Sequence, residues 1–171
     1  MRDIRVKRSE IQDPLGKHYW PAPAGRDGCR SPMQWNAEEK AGFTTGKPWL
    51  KIHPGFSVRN VEAQKNDPDS LLNFYKSLLR LRRLHSALQR GMFIPLHHDP
   101  QRILAYVRQD AEQTILVALN FARRRSKLAV GGEVTRHQWE VLLSNKERSQ
   151  PIFEKGWLKL GGYEACILIQ K

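Results

Sequence analysis

Cysteine is nearly missing from this chain, with two in 171 residues, Cys29 and Cys166, and no C-x-x-C spacing. That excludes a disulfide scaffold and a zinc module built on thiolates. Acidic residues are also short, 17 against 29 lysines and arginines, which leaves a formal net charge of +12. Long apolar runs are absent: none exceeds five residues, the length of Ile115–Leu119 and of Ala165–Ile169, against the roughly 20 that a bilayer span requires. No transmembrane helix is expected. The basic start leads into Ser9-Glu10-Ile11-Gln12-Asp13-Pro14 rather than an apolar h-region with a small-residue cleavage site. No secretory signal is read there, and cytoplasm is the expected location. Glycine-rich phosphate cradles, a G-x-S-x-G elbow and histidines paired at i, i+4 are missing too. No cofactor and no metal are expected.

What is present describes a folded, water-soluble protein of one domain or two small ones. Hydrophobic residues make up 40% and charged residues 27%, close to the globular average and enough for a core. The positive charge is scattered, with one tight run at Arg123-Arg124-Arg125 and a helical cluster at Arg80, Arg82 and Arg83. A charge of this sign attracts polyanions. The scatter is read instead as solvated surface, or as a face turned toward an acidic neighbouring domain, and nucleic acid is not the expected partner.

The stretch from Arg26 to about Phe56 is rich in Gly, Pro, Trp and Asn, with little periodicity, and predicts a long structured loop. Trp20, Trp35 and Trp49 argue that this region is ordered and packed on something, because aromatic rings supply large buried areas. Asn66-Asp67-Pro68-Asp69-Ser70 then predicts a helix start with Asp67 as N-cap and Pro68 at the first helical position. Leu71, Leu72, Tyr75, Leu78, Leu79 and Leu81 continue an apolar face to about residue 84. One further turn, Ser86 to Arg90, closes at Gly91. Beyond it seven strands are predicted: Phe93–Leu96, Ile103–Arg108, Thr114–Asn120, Ser126–Val130, Trp139–Ser144, Trp157–Leu160 and Glu164–Ile169. Their even spacing suggests an antiparallel sandwich. The domains are accordingly read as 1–90 and 91–171.

His97-His98-Asp99 looks like a metal or acid–base cluster, yet neighbours in a strand point to opposite faces and Pro100 marks a turn; it is read as a solvated strand end. His18, His53, His85 and His137 receive no catalytic role. The informative stretch is Gly25-Arg26-Asp27-Gly28-Cys29-Arg30-Ser31-Pro32-Met33-Gln34-Trp35, followed by Ala41-Gly42-Phe43-Thr44-Thr45-Gly46-Lys47-Pro48-Trp49. Arginines flanking an aspartate beside aromatic rings suit a carbohydrate site, where guanidinium groups pair with hydroxyls or fix a carboxylate. An Arg–Asp-braced loop with its tryptophans in a core explains the same residues equally well.

At these residues the chain resembles the alpha-glucosidase and oligo-1,6-glucosidase branch of the alpha-amylase family of glycoside hydrolases. The family pattern is R-D-G-x-R-T-P-M-Q-W, from which this sequence departs at Ser31, and then A-G-F-T-x-G-x-P-W. Ile11 to Pro21 and Asn66 to Tyr75 are similar to the family as well, and Ala105 to Arg108 and Leu116 to Phe121 resemble its C-terminal β domain. The fold class this implies is the terminal segment of an α/β barrel, the last βα loop and helix of a TIM barrel, followed by an all-β antiparallel sandwich.

The resemblance also implies what should be missing. Retaining glycosidases need two carboxylates about 5–5.5 Å apart, which the family supplies from strands four, five and seven, upstream of these segments. Neither G-x-R-x-D nor N-H-D occurs here, so no catalytic residue is assigned. By resemblance Arg26 is the residue that contacts the non-reducing-end glucose, with an aspartate from an early strand loop; Arg30 is the alternative, and Asp27 braces the turn. The implied protein is the C-terminal portion of an alpha-glucosidase, inactive alone, whose last helix lacks neighbouring strands and needs an upstream barrel segment. The alternative is a stand-alone module binding carbohydrate or a polyanion. Salt separates those two ligands: binding measured at rising ionic strength should weaken steeply for a polyanion and stay nearly constant for a neutral sugar.

Overall fold

The computed structural model of the chain describes residues 4, 6–96 and 102–171; His97-His98-Asp99 lies outside them. Two compact units, Met1–Phe74 and Tyr75–Lys171, are built on different physical principles.

In the first unit the described buried hydrophobics are Ile11, Ala41 and Leu50, and much of the order comes from turns and caps. Asp13 caps the short helix α1 (Pro14–His18), its side chain accepting from the Leu15 N–H with Pro14 in the first turn. The expected long loop is a series of 3-10 turns, Asp27–Arg30, Glu39–Gly42 and Pro54–Ser57. It returns to helix α2 (Val61–Lys65), which Asn60 caps by accepting from the Ala63 N–H while donating to the Phe56 carbonyl. Backbone bonds from Val61 to Gln34 and from Glu62 to Trp35 tie this helix to the loop.

Helix α3 runs Leu71–Leu84, so the start expected at Pro68 is corrected to Leu71. The reason is a competing local bond. The Asp67 carboxylate accepts from the Asp69 N–H in a tight turn, and Ser70 takes over as cap by accepting from the Asn73 N–H at 3.3 Å. Gln64 Oε1 accepts from the Leu72 N–H, satisfying another of the helix's free donors. No residue of α3 is buried: Phe74, Leu78 and Leu81 are half-covered, whereas Leu71, Tyr75, Leu79 and Leu84 are exposed. Its apolar flank is open, as expected of a barrel helix without its strands.

The second unit takes in α3 from Tyr75 onward and then the sandwich. After helix α4 (Ser86–Arg90), closed at Gly91, come β1 (Met92–Pro95), β2 (Ile103–Gln109), β3 (Thr114–Asn120), β4 (Ser126–Ala129), helix α5 (Gly131–Arg136), β5 (Trp139–Ser144), β6 (Phe153–Glu154), β7 (Trp157–Leu160) and β8 (Ala165–Gln170). Five strands form one antiparallel sheet in the order β1-β2-β3-β8-β5, and three form another in the order β4-β7-β6. Leu116 and Ala118 of β3, Cys166 and Leu168 of β8, and Leu128, Leu158 and Leu160 of the smaller sheet meet in the core between them. The alternate residues Ile115 and Val117 face the other way and are covered by Ala87 of α4, so the central strand reads as an unbroken apolar run. Two elements escaped the sequence pattern: β6, two residues long, and α5, which opens on Gly131-Gly132 and reads as a turn.

Polar groups pin the junctions of this unit. Asn120, 2% exposed, donates to the carbonyls of Arg124 and Gly161 and accepts from the Ala122 N–H and the Ser126 hydroxyl. Gly162 must be glycine, because a Cβ there would lie 1.9 Å from the Arg123 carbonyl oxygen. Glu164, also 2% exposed, accepts from Arg148 through Nε and, at 2.9 Å, Nη2, from the Gly161 N–H and from Ser144. Arg148 also donates to the Lys159 carbonyl, which fastens the crossing from β5 to β6. Burial raises the Glu164 pKa, but the guanidinium and the donated N–H bonds outweigh it and hold the carboxyl below its usual range.

Replacing Glu164 by Ala leaves Arg148 buried without its partner and should cost about 3 kcal/mol in urea denaturation. Because the folded pKa is lowered, the contribution is complete above about pH 4.3 and is lost as pH falls through the folded value. Urea midpoints recorded between about pH 3 and 7 should therefore fall on the acid side for the native chain and show a weaker fall for Glu164→Gln.

Candidate functional site

Two carboxylates cross-brace the start of the chain against the Gly25-Arg26-Asp27 turn. Asp13, 2% exposed, accepts from the Arg26 backbone N–H at 2.6 Å. It also takes the guanidinium side-on, Nε at 3.0 Å and Nη2 at 3.1 Å. Asp27 reaches back in the opposite direction, accepting from the N–H groups of Gln12 at 2.8 Å and Asp13 at 3.1 Å. The two braced segments also pack closely at glycine: a Cβ on Gly25 would lie 2.9 Å from the Gly16 Cα. The Arg26 side-chain bonds first, and its backbone N–H second, hold the Asp13 carboxyl far below the usual carboxylate range. The same pairing raises the Arg26 guanidinium.

Beside this brace opens a cleft of about 760 Å³, with Arg30, Met33, Phe43, Trp49 and Leu50 among its lining residues. Trp49 donates from Nε1 to the Arg30 carbonyl at 2.8 Å and meets Phe43 edge-on, ring centroids 4.9 Å apart at 90°. Just before Phe43 the backbone is left-handed at Lys40, Ala41 and Gly42, and the Ala41 carbonyl accepts from the Trp35 N–H.

The structure separates the two sequence-predicted arginines. Arg30 lines the cleft. Arg26 stands on the Asp13 brace with its side chain 56% exposed. Of its five N–H donors, two go to Asp13, which leaves three for a hydroxyl or another carboxylate. The tryptophans do not form the core that a braced-loop reading requires: Trp20, Trp35 and Trp49 are 43%, 49% and 62% exposed. Asp13 went unassigned in the sequence, although the Asp-Pro pair of an N-cap was its visible signal. Neither carboxylate of the brace is free to act as nucleophile or proton donor, since Arg26 and backbone N–H groups engage both. What this arrangement can do is bind, with guanidinium donors and aromatic faces of the kind a sugar ring takes. Among the described residues no group of three or more His, Cys, Asp or Glu is placed to hold a metal ion.

Comparison with known proteins finds two families along the chain. The family model for the alpha amylase catalytic domain matches residues 1–91, and that for the maltogenic amylase C-terminal domain matches residues 93–167. The probable oligo-1,6-glucosidase 3 of Bacillus subtilis (strain 168) is 44% identical over 172 residues, covering 98% of this chain and 29% of that protein. The probable oligo-1,6-glucosidase 2 of the same strain is 41% identical over 120 residues, covering 70% of this chain and 21% of that protein. Among solved structures, a mutant isomaltulose synthase from Erwinia rhapontici NX5 in complex with D-glucose superposes with a TM-score of 0.79 at 26% identity, covering 98% of this chain and 33% of that one. The chain thus spans between about a fifth and a third of the length of these relatives.

The brace makes a pH prediction. With the folded Asp13 pKa below its unfolded value of about 3.9, the stabilisation is full above that value and disappears only as pH falls through the lower, folded one. Hydrogen exchange should show the Arg26 amide equally protected from neutral pH down to about pH 4, and unprotected throughout that range in Asp13→Ala.

Proposed function

The chain belongs to the alpha-amylase family of glycoside hydrolases, and from that premise we propose that it is the C-terminal portion of an alpha-glucosidase. The complete enzyme hydrolyses terminal alpha-glucosidic bonds of maltose, isomaltose or short oligosaccharides with retention. Residues 1–90 are the closing segment of its barrel and residues 91–171 its β-sandwich domain.

The observation that carries this reading is the braced arginine beside an aromatic cleft. Arg26 is pre-set by Asp13 and keeps three unused N–H donors, so it can grip a glucose hydroxyl with little ordering left to do. Arg30 is the alternative for the same contact, since it lines the cleft itself. The carboxylates of a retaining mechanism, about 5–5.5 Å apart, come from polypeptide beyond these residues. In this division of labour the chain positions substrate and leaves bond cleavage to the completed barrel. Because the whole cleft lies between Gln12 and Leu50, binding of sugar without hydrolysis is the second reading for the chain alone.

The isolated chain should release no p-nitrophenol from p-nitrophenyl alpha-glucoside. Joined behind the upstream part of the Bacillus subtilis oligo-1,6-glucosidase 3, it should restore hydrolysis of isomaltose or maltose. In that fusion Arg26→Ala should lower kcat/KM by roughly one to two orders of magnitude, the loss expected for a charged hydrogen bond to substrate. A larger loss in Arg30→Ala would transfer the role to Arg30. Hydrolysis by the isolated chain, or a folded but inactive fusion, would overturn the assignment.

A further inference from the structure

The three-stranded sheet carries on its outer face a feature that sugar hydrolysis does not use. Leu128, Leu158 and Leu160 point into the core between the sheets and Phe153 packs against it. By strand alternation Lys127 and Ala129 of β4, Trp157 and Lys159 of β7 and Glu154 of β6 share the opposite, outer face. Helix α4 packs on the far side of the five-stranded sheet, where Ala87 covers Ile115 and Val117. Both sheets therefore stand between this face and the helix through which the chain enters the sandwich.

Two rungs of the ladder give the face its chemistry. Lys127 lies directly opposite Lys159, and like charges in that relation destabilise a sheet. Glu154 is the one carboxylate among the residues of the three strands, and it pairs with Lys159. That hydrogen bond first, and the charges of both lysines with it, hold the Glu154 carboxyl below its usual range. One rung on, roughly 6.6 Å along the strands for two residues, Trp157 lies between Ala129 and Glu154 and is 44% exposed. Two ammonium groups thus share one carboxylate, beside an open indole whose neighbour on β4 is too short to cover it. A cation held against its like calls for an anion, and the indole calls for the C–H face of a ring.

We propose that this face binds a phosphorylated glucan, with a glucosyl ring on Trp157, Glu154 accepting from its hydroxyls, and the phosphate monoester between Lys127 and Lys159. The monoester carries nearly two negative charges at neutral pH, which matches the two ammonium groups. A neutral glucan would leave the lysine pair unused, and inorganic phosphate would leave the indole bare. A nucleic-acid strand calls for successive stacking rings, where the three strands offer Trp157 alone on this face. The proposal needs neither Arg26 nor the cleft beside it, so it stands apart from the catalytic reading.

The test records two-dimensional proton–nitrogen spectra of the full chain during titration with glucose 6-phosphate, and in parallel with glucose, inorganic phosphate and adenosine monophosphate. Glucose 6-phosphate should shift the amides of Lys127, Trp157 and Lys159 and the Trp157 indole N–H, and should bind at least about tenfold more tightly than the other three. Lys127→Glu should weaken it by about tenfold or more and, because an opposite-charge rung replaces a like-charge one, should melt no earlier than the native chain. Should that variant melt early, Lys127→Ala carries the same comparison. Trp157→Ala should bring glucose 6-phosphate down to the affinity of inorganic phosphate. Binding of glucose or of inorganic phosphate as tight as that of glucose 6-phosphate would overturn the proposal, and equal or tighter binding of adenosine monophosphate would make this a nucleotide site instead. So would an affinity unmoved by Lys127→Glu, shifts confined to residues outside the small sheet, or no shift with glucose 6-phosphate at tens of millimolar.

Discussion

Half of this chain is ordered with very little hydrophobic core, and the Asp13–Arg26 pair is the interaction that makes this possible. Folding pays backbone entropy for every residue fixed, and the first unit buries Ile11, Ala41 and Leu50 against that cost. Charge-assisted bonds take over part of the task. One carboxylate, on Asp13, caps α1, accepts the Arg26 amide and receives its guanidinium. Asp27 returns the gesture to the backbone of Gln12 and Asp13. The turn that carries Arg26 and Arg30 is located by this exchange, and the cleft next to it inherits its shape.

Polar bracing of this kind leaves apolar side chains over. Trp35, Trp49 and Met33 around the loop, and Leu71, Tyr75, Leu79 and Leu84 along α3, are all about half exposed or more. Around the cleft the rings lie next to guanidinium donors, the company a sugar keeps. On α3 the apolar side chains lie beside the exposed Lys76, Arg80 and Arg83.

The sandwich follows the opposite logic. Its strands Thr114–Asn120, Trp139–Ser144 and Trp157–Leu160 were legible residue for residue, because each is a short apolar or β-branched run bounded by turn residues, and the central one is buried on both faces. Legibility fails where a run is too short or opens on breakers: β6 has two residues and α5 opens on paired glycines. The start of α3 failed differently. Asp67, Pro68 and Ser70 all favour a helix terminus, and only the bonds each one makes decide which is the cap.

Sequence alone determined the family, the order of its two parts, the absence of its catalytic carboxylate motifs and the candidate arginines, since these rest on motifs and periodicities written along the chain. The tertiary structure decided what pairs with what. That Arg26 spends two donors on Asp13, thirteen residues earlier, could not be read from spacing, because an ion pair depends on where two turns meet in space. The exposure of the tryptophans was undecided for the same reason: aromatic residues are equally fit for a core or a binding face, and the neighbours that settle the question are set by the fold.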